Sequence, residues 1–391
     1  MEIIKRNLVL PKKSFFLFGP RGVGKSFLMK ETLTPKYSFN LLDQRLYFEL
    51  SKDPGKIRDY LFESKKGDWV LIDEIQKIPA LLDEVHYLIE EKKLNFALSG
   101  SSARKLKRSG ANLLAGRALT TNLYPFSASE LDNGYNLKTM LELGTLPLAI
   151  SDPKNAIAFL YSYFGTYIKE EIKEEGLVRK IEPFLRFLEV AGILNGQQIN
   201  SSNISRESKI ARATVDTYFS ILEDTLVGHF LRAYRPQLKV QEQDHPKFYW
   251  FDSGVARAAA GLLGEKLDDD WLGRALETLI FHELRSYNSY YQKFKGIFYY
   301  RAKSGLEVDF VIETKKRSSS HPAEIILIEV KYSKKWKGEY EHAMRSIIET
   351  KKIKIKHAIG LYMGDQPLDR GEIQVLPVSD FIKRLNNGDF F

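Results

Sequence analysis

Short apolar runs, spaced by segments of helical periodicity, dominate the first third of the chain. SFFLF (Ser14–Phe18), WVLI (Trp69–Ile72) and the NFALSGSS segment ending at Ser99 to Ser102 are nearly continuous in apolar residues. That is the pattern of strands covered on both faces, as in a parallel α/β sheet. Tyr37 to Leu42, with Asp43 after it, supplies a further strand. From Ser127 to Asn195 apolar residues recur every three or four positions, as at Ile181, Phe184, Leu185 and Leu188, which predicts helices. Residues 202–236 predict helix, turn, helix, strand, with Val215, Phe219, Leu222 and Leu226 on one face of the second helix. Toward the end, Gly273–Tyr287 is an amphipathic helix, and IFYYRAKSGLEVDFVIE and IILIEVKYS are strands joined by the polar loop TKKRSSSHPA. Four divisions follow: 1–125, 126–200, 201–264 and 265–391.

Composition narrows the field. The 391 residues are 43% hydrophobic and 28% charged, as in a soluble globular protein of two or three domains. No apolar run reaches the eighteen or so residues of a membrane span, and the N-terminus has no secretory pattern. The chain has no cysteine, so disulfides and thiolate metal sites are excluded, and a cytoplasmic location is expected. Its seven histidines have no metal-ligand spacing. The net charge of +9, from 59 basic and 50 acidic residues, leans toward nucleic acid and decides little alone.

The chemistry is concentrated in GPRGVGKS, comprising Gly19, Pro20, Arg21, Gly22, Val23, Gly24, Lys25 and Ser26. Between a predicted strand and a predicted helix this is the phosphate-binding loop pattern. Its glycines let successive N–H groups turn toward phosphate oxygens, Lys25 reaches the β- and γ-phosphates of ATP, and Ser26 ligates Mg²⁺. The strand Trp69–Ile72 ends on Asp73, suited to the shell of Mg²⁺, and Glu74, suited to polarising the attacking water. Ser101 is the candidate sensor of the γ-phosphate, with Ser99 behind it; a serine-rich turn is the alternative. Basic residues Arg104, Lys105, Lys107, Arg108 and Arg117 follow. Arg117 is either an arginine finger, supplied by the same chain or by a neighbour in a homo-oligomer, or a structural partner of a carboxylate.

In the last segment, strand alternation places Glu329 and Lys331 on one face, and Asp309 can share it. With Glu277 on the preceding helix, this array resembles the PD-(D/E)xK nuclease core. That resemblance implies Glu277, Asp309 and Glu329 as metal-holding residues and Lys331 as a catalytic residue positioning water. The basic clusters Lys315–Arg317 and Lys334–Lys337 flank the array and can track a phosphate backbone or be solvated loops. The helix over about 211–223 looks like the recognition helix of a winged helix. Its outward residues mix Arg212, Thr214, Thr217 and Ser220 with Asp216 and Glu223, a poor footprint for DNA.

The motifs GPRGVGKS, LIDEIQK, LSGSSARKL, LAGR and YPFSASEL, with HPKFYWFDSGVARA, SGLEVDFVIE and IEVKYS, resemble one prokaryotic family of AAA+ ATPases with a long C-terminal region of unknown function. The resemblance covers nearly the whole chain. It implies an α/β protein: a P-loop AAA+ ATPase core, a helical lid, a winged helix and a C-terminal α/β PD-(D/E)xK nuclease-like domain. Two functions remain open. One is an ATP-driven machine acting on DNA, cutting or repositioning it. The other is an ATP-dependent switch whose C-terminal half binds protein or nucleic acid without cleavage.

Overall fold

The computed structural model describes residues 3–101, 104, 106, 114, 116–131, 136–168, 181–235, 245–302, 304–318, 321–350 and 353–391. The basic residues Lys105, Lys107 and Arg108 lie outside that set. The apolar runs of the first third form a five-stranded parallel sheet in the order β2-β3-β4-β1-β5. These strands are β1 (Phe15–Phe18), β2 (Tyr37–Asn40), β3 (Trp69–Asp73), β4 (Asn95–Gly100) and β5 (Leu119–Asn122). All four residues of β1 are buried, as the unbroken FFLF run requires. Because the strands are parallel, their C-terminal ends share one edge, and ligands of open α/β sheets bind there. Helix α1 (Lys25–Leu33) leaves that edge and α2 (Leu81–Glu91) returns from it toward β4.

Helix α3 (Ile181–Ile193) buries Phe184, Phe187 and Leu188 through the three- and four-residue spacing seen in the sequence. The pair α4 (Ser201–Ser208) and α5 (Arg212–Asp224) follows, with Val215, Phe219 and Leu222 turned inward and Leu226 half-buried just beyond the helix. A small antiparallel sheet, β6-β8-β7, packs behind it; its strands are β6 (Gln197–Gln198), β7 (Gly228–Leu231) and β8 (Lys247–Trp250). The C-terminal sheet is mixed, in the order β13-β14-β12-β11-β10-β9. Its strands are β9 (Gly296–Arg301), β10 (Glu307–Lys315), β11 (Glu324–Lys331), β12 (Lys354–Tyr362), β13 (Leu368–Arg370) and β14 (Ile373–Pro377). Against it lies the longest described helix, α6 (Asp269–Tyr290), capped by the Asp268 side chain on Trp271 N. None of the described helices is long and apolar enough to cross a membrane.

The four sequence segments share part of their interior, beside separate apolar clusters that lie mostly within the first and the last of them. One apolar cluster runs from Leu8 in the first segment through Phe187, Trp250 and Phe281 to Phe391. Its joint is the YPFSASEL stretch after β5. Leu123 O stands 2.2 Å from where a Cβ on Gly19 would sit, so only glycine fits the first position of the phosphate loop. Arg6 binds the same region from the N-terminal arm: it donates to Val23 O and Tyr124 O and pairs with buried Glu130 at 2.8 Å. Glu130 also accepts from the backbone N–H of Asn7 and Ser127. On its other side the stretch is held by α6, where Ala128 N donates to Glu283 at 2.7 Å, Tyr124 N to the Tyr290 hydroxyl at 3.1 Å, and His282 meets Phe126 O at 3.1 Å.

Burial pushes the Glu283 carboxyl up to about 8, against the lowering effect of the Ala128 N–H, with Glu130 adding to the rise. The folded chain therefore holds a proton that the unfolded chain loses near the ordinary carboxylate value of about 4.3. Stability drawn from this group is present below that value and declines as pH rises toward about 8. Glu283→Gln should accordingly melt close to wild type at pH 5 and above it at pH 9. Melting curves at the two pH values check this, and a difference independent of pH would contradict it.

Candidate functional site

At the C-terminal edge of the parallel sheet, β4 lies between β1 and β3, and its pairing of Leu98 with Ile72 brings Ser99 level with Asp73. Ser26 Oγ donates to Asp73 Oδ2 at 2.5 Å, joining the end of the phosphate loop to the end of β3. Ser99, still within β4, donates to the other Asp73 oxygen and accepts from Glu74 N at 3.2 Å. Ser101 is one step further out and touches Gln76 Nε2 at 3.4 Å. Of the two serines it is Ser99, ranked behind Ser101 on sequence, that contacts Asp73.

Glu74 adopts a left-handed backbone, φ 62°, a costly conformation for glutamate that turns the chain off β3. Gln76 Nε2 donates to the Glu74 carboxylate, while Gln76 Oε1 is buried without a hydrogen bond among the described residues. Gln76 sits inside the quoted LIDEIQK run, yet nothing in its spacing marks it. Gly24, at φ 95°, precedes the first residue of α1, and its left-handed backbone aims the loop back over the helix start. Lys25 Nζ donates to Gly19 O at 2.7 Å and Pro20 O at 3.0 Å. From the helical segment Tyr163 donates to Arg21 O at 2.7 Å, a contact that helical periodicity gives no means to find.

Oxygen donors on Ser26 and Asp73 within hydrogen-bond distance of each other fit a hard cation such as Mg²⁺. Arg117 is not brought to this edge. It precedes β5, whose first residue Leu119 pairs with Phe15 at the start of β1, and its guanidinium is paired with Glu90 near the end of α2. The length of β1 at about 3.3 Å per residue separates it from the loop. Within one chain, Arg117 is thus paired with a carboxylate beside the start of β1, at the end away from the phosphate loop.

The second cluster lies where β8, α6, β10 and β11 meet. Asp309, Glu329, Lys331 and Glu277 converge there, and Lys247 from β8 joins them. Lys247 Nζ stands 2.6 Å from Glu307, 3.5 Å from Glu277 and 3.5 Å from Asp309. Lys331 Nζ lies 2.5 Å from Glu329 and 3.9 Å from Asp309. Val330 N donates to Asp309 Oδ2 at 2.8 Å, and the Tyr249 hydroxyl to Glu277 at 2.9 Å. Burial raises Glu277 to about 7, with Lys247 opposing and Asp309 adding; burial and then Asp309 raise Glu329 to about 8. Burial disfavours the charge on both lysines, and the surrounding carboxylates outweigh it, so Lys331 and Lys247 are both raised.

The expected metal-holding set of Glu277, Asp309 and Glu329 is thus assembled around ammonium groups. Among the described residues no three acidic or imidazole side chains are arranged to hold a metal ion. The carboxylates do not fit a divalent cation while Lys247 stands between them. Lys247 was missed because it lies about 30 residues before Glu277, in a strand whose FYW run reads as core. Glu329 Oε2 is buried with no hydrogen-bond partner among the described residues.

Residues 11–132 match a family model described as an AAA domain. Residues 134–266 and 272–381 match two domains of unknown function, DUF8612 and DUF4143. An uncharacterized protein of Haemophilus influenzae is 23% identical over 245 residues, 58% of this chain and 60% of that protein. An uncharacterized protein of Methanocaldococcus jannaschii is 21% identical over 344 residues, 80% of this chain and 75% of that protein. The chain thus spans less than two thirds of the first relative's length. The N-terminal region is of the AAA type, mixed α/β with a parallel sheet, and its similarity is to nucleotide-binding domains of the ATPase kind.

Proposed function

We propose that the chain is an Mg²⁺-dependent ATPase whose nucleotide state is passed through the Leu123–Leu131 stretch and α6 to the Lys247 centre. The observation that carries this reading is the contact between Ser26 Oγ and Asp73 Oδ2 at the mouth of the phosphate loop. Lys25 would bind the β- and γ-phosphates of ATP, and the loop N–H groups would orient them. Ser26 and Asp73 would hold Mg²⁺, which supplies charge neutralisation for the phosphates. Glu74, held by Gln76, would accept a hydrogen bond from the attacking water, with Ser99 fixing Asp73 and Ser101 fixing Gln76. Arg117 would act on the nucleotide only from a second copy in a homo-oligomer.

For the C-terminal half, the Lys247 ammonium among three carboxylates favours a centre that binds a partner without cutting it. A second reading, metal-dependent cleavage of DNA by a PD-(D/E)xK-like domain, is favoured by the convergence of Asp309 and Lys331 beside Glu329. It would need Lys247 to withdraw from Glu277 and Asp309. The helix pair α4–α5 with β7 and β8 would serve as a winged helix, although Arg212 is accompanied by exposed Asp216 and Glu223 on the outer face. That composition suits a protein contact better than duplex DNA.

Lys25→Ala should abolish binding of a fluorescent ATP analogue; unchanged affinity would remove the assignment. Glu74→Gln should retain binding and slow phosphate release by at least about tenfold, roughly 1.4 kcal/mol of transition-state stabilisation. A normal turnover rate would take Glu74 out of the mechanism.

Lys247→Met should destabilise the fold by about 3–5 kcal/mol, because it leaves buried carboxylates without their cation. Thermal melting with and without Mn²⁺ reads this. A loss that Mn²⁺ does not restore, with supercoiled plasmid left intact by wild type, supports the binding centre. Plasmid nicking by wild type that disappears in Asp309→Ala would establish the second reading instead.

A further inference from the structure

Arg285 lies on the same row of α6 as Glu277 and Phe281, two turns beyond Glu277, and has no ion pair among the described residues. Its guanidinium lies 5.2 Å from the Tyr124 ring centroid and 5.4 Å from that of Phe281. Among the described residues it forms no ion pair and no hydrogen bond. Burial lowers its pKa; the carboxylate of Glu223 acts on it from beyond ion-pair distance. The neighbouring imidazoles give no compensation, since His229 and His282 are both driven toward the neutral form, first by burial and further by Arg285. The side chain is half-buried, so water screens its charge only in part and an anion held beside it would be favoured.

Arg285 lines a cleft of about 560 Å³ between β5, α6 and β9. One wall is the end strand of the parallel sheet: among the described residues β5 pairs with β1 alone. Leu119 N and Leu123 N donate to Ser14 O and Phe18 O of β1's side, so alternation turns the amide groups of Thr120 and Asn122 toward the cleft. Phe230 and Ile297 add apolar wall, and Phe294 stands 83% exposed at the rim.

We propose that this cleft binds a small amphipathic oxyanion, a carboxylate or a phosphate monoester attached to a flat or apolar body. The volume suits one small ligand, and few polar groups amid apolar walls are the usual makeup of such sites. The rigid fork of a guanidinium matches two oxygens of a carboxylate or phosphate, and desolvation by the aromatic walls strengthens that pairing. The site is separate from the phosphate loop and from the Lys247 centre, and it stands whether or not either performs the chemistry proposed above.

The test is thermal melting of the full chain with benzoate and with phenyl phosphate, which separates the two head groups. At least one probe should raise the melting temperature in a dose-dependent way, since a ligand that binds the folded state stabilises it. The rise should persist in Lys25→Ala, which separates it from the phosphate loop, and vanish in Arg285→Met. Unliganded Arg285→Met should melt close to wild type, because the half-buried guanidinium has no ion pair to lose and the methionine keeps the packing on Tyr124 and Phe281. Arg285→Lys, which keeps charge but not the fork, should bind about tenfold more weakly. No rise with either probe, or an equal rise in Arg285→Met, would overturn the proposal. So would loss of the rise in Lys25→Ala, wild-type affinity in Arg285→Lys, or a marked loss of stability in unliganded Arg285→Met.

Discussion

The buried pair of Arg6 and Glu130 is the contact on which the two halves of the molecule depend. Arg6 fixes the phosphate loop from behind through Val23 O, and Glu130 gathers the backbone N–H groups of Asn7 and Ser127 around that guanidinium. A buried ion pair contributes little net stability, but removal of one partner costs several kcal/mol because the other remains charged and dry. The arrangement therefore specifies position. It sets the Leu123–Leu131 stretch between the loop and α6, where Leu123 O closes against Gly19 and Glu283 receives Ala128 N.

From that joint α6 runs past both unusual charge arrangements. Its C-terminal half carries Glu283 and Arg285 beside the parallel sheet; its N-terminal half carries Glu277 into the Lys247 centre. A rigid helix with polar anchors at both ends is a physical route by which a change at one site alters the other. The Lys247 centre is suited to respond, since burial raises Glu277 and Glu329 while Lys247 and Lys331 oppose the rise at Glu277 and Lys331 opposes it at Glu329.

The parallel sheet was legible because continuous apolar runs, a complete phosphate-loop motif and a strand ending in two carboxylates each impose local requirements. The convergence of Asp309, Glu329 and Lys331 was legible too, because strand alternation fixes faces. What escaped was set by tertiary neighbours. The choice between Ser99 and Ser101 depends on the register of β4 against β3, which sets Leu98 opposite Ile72. Lys247, Tyr163 and Arg6 act far along the chain from what they touch, and no period points to them. The place of Arg117 in LAGR left an arginine finger and a carboxylate partner both open, and the register of β5 sets it beside Glu90 at the far end of β1.

The central claim is that nucleotide at the phosphate loop is felt along α6. Hydrogen exchange on the full chain, with and without Mg²⁺ and a non-hydrolysable ATP analogue, addresses it directly. The account predicts altered protection in Gly19–Ser26, in Tyr124–Leu131 and in the Glu277–Tyr290 part of α6, all of it lost in Lys25→Ala. Changes confined to the phosphate loop and the Asp73–Gln76 turn, with α6 unaffected, would contradict it.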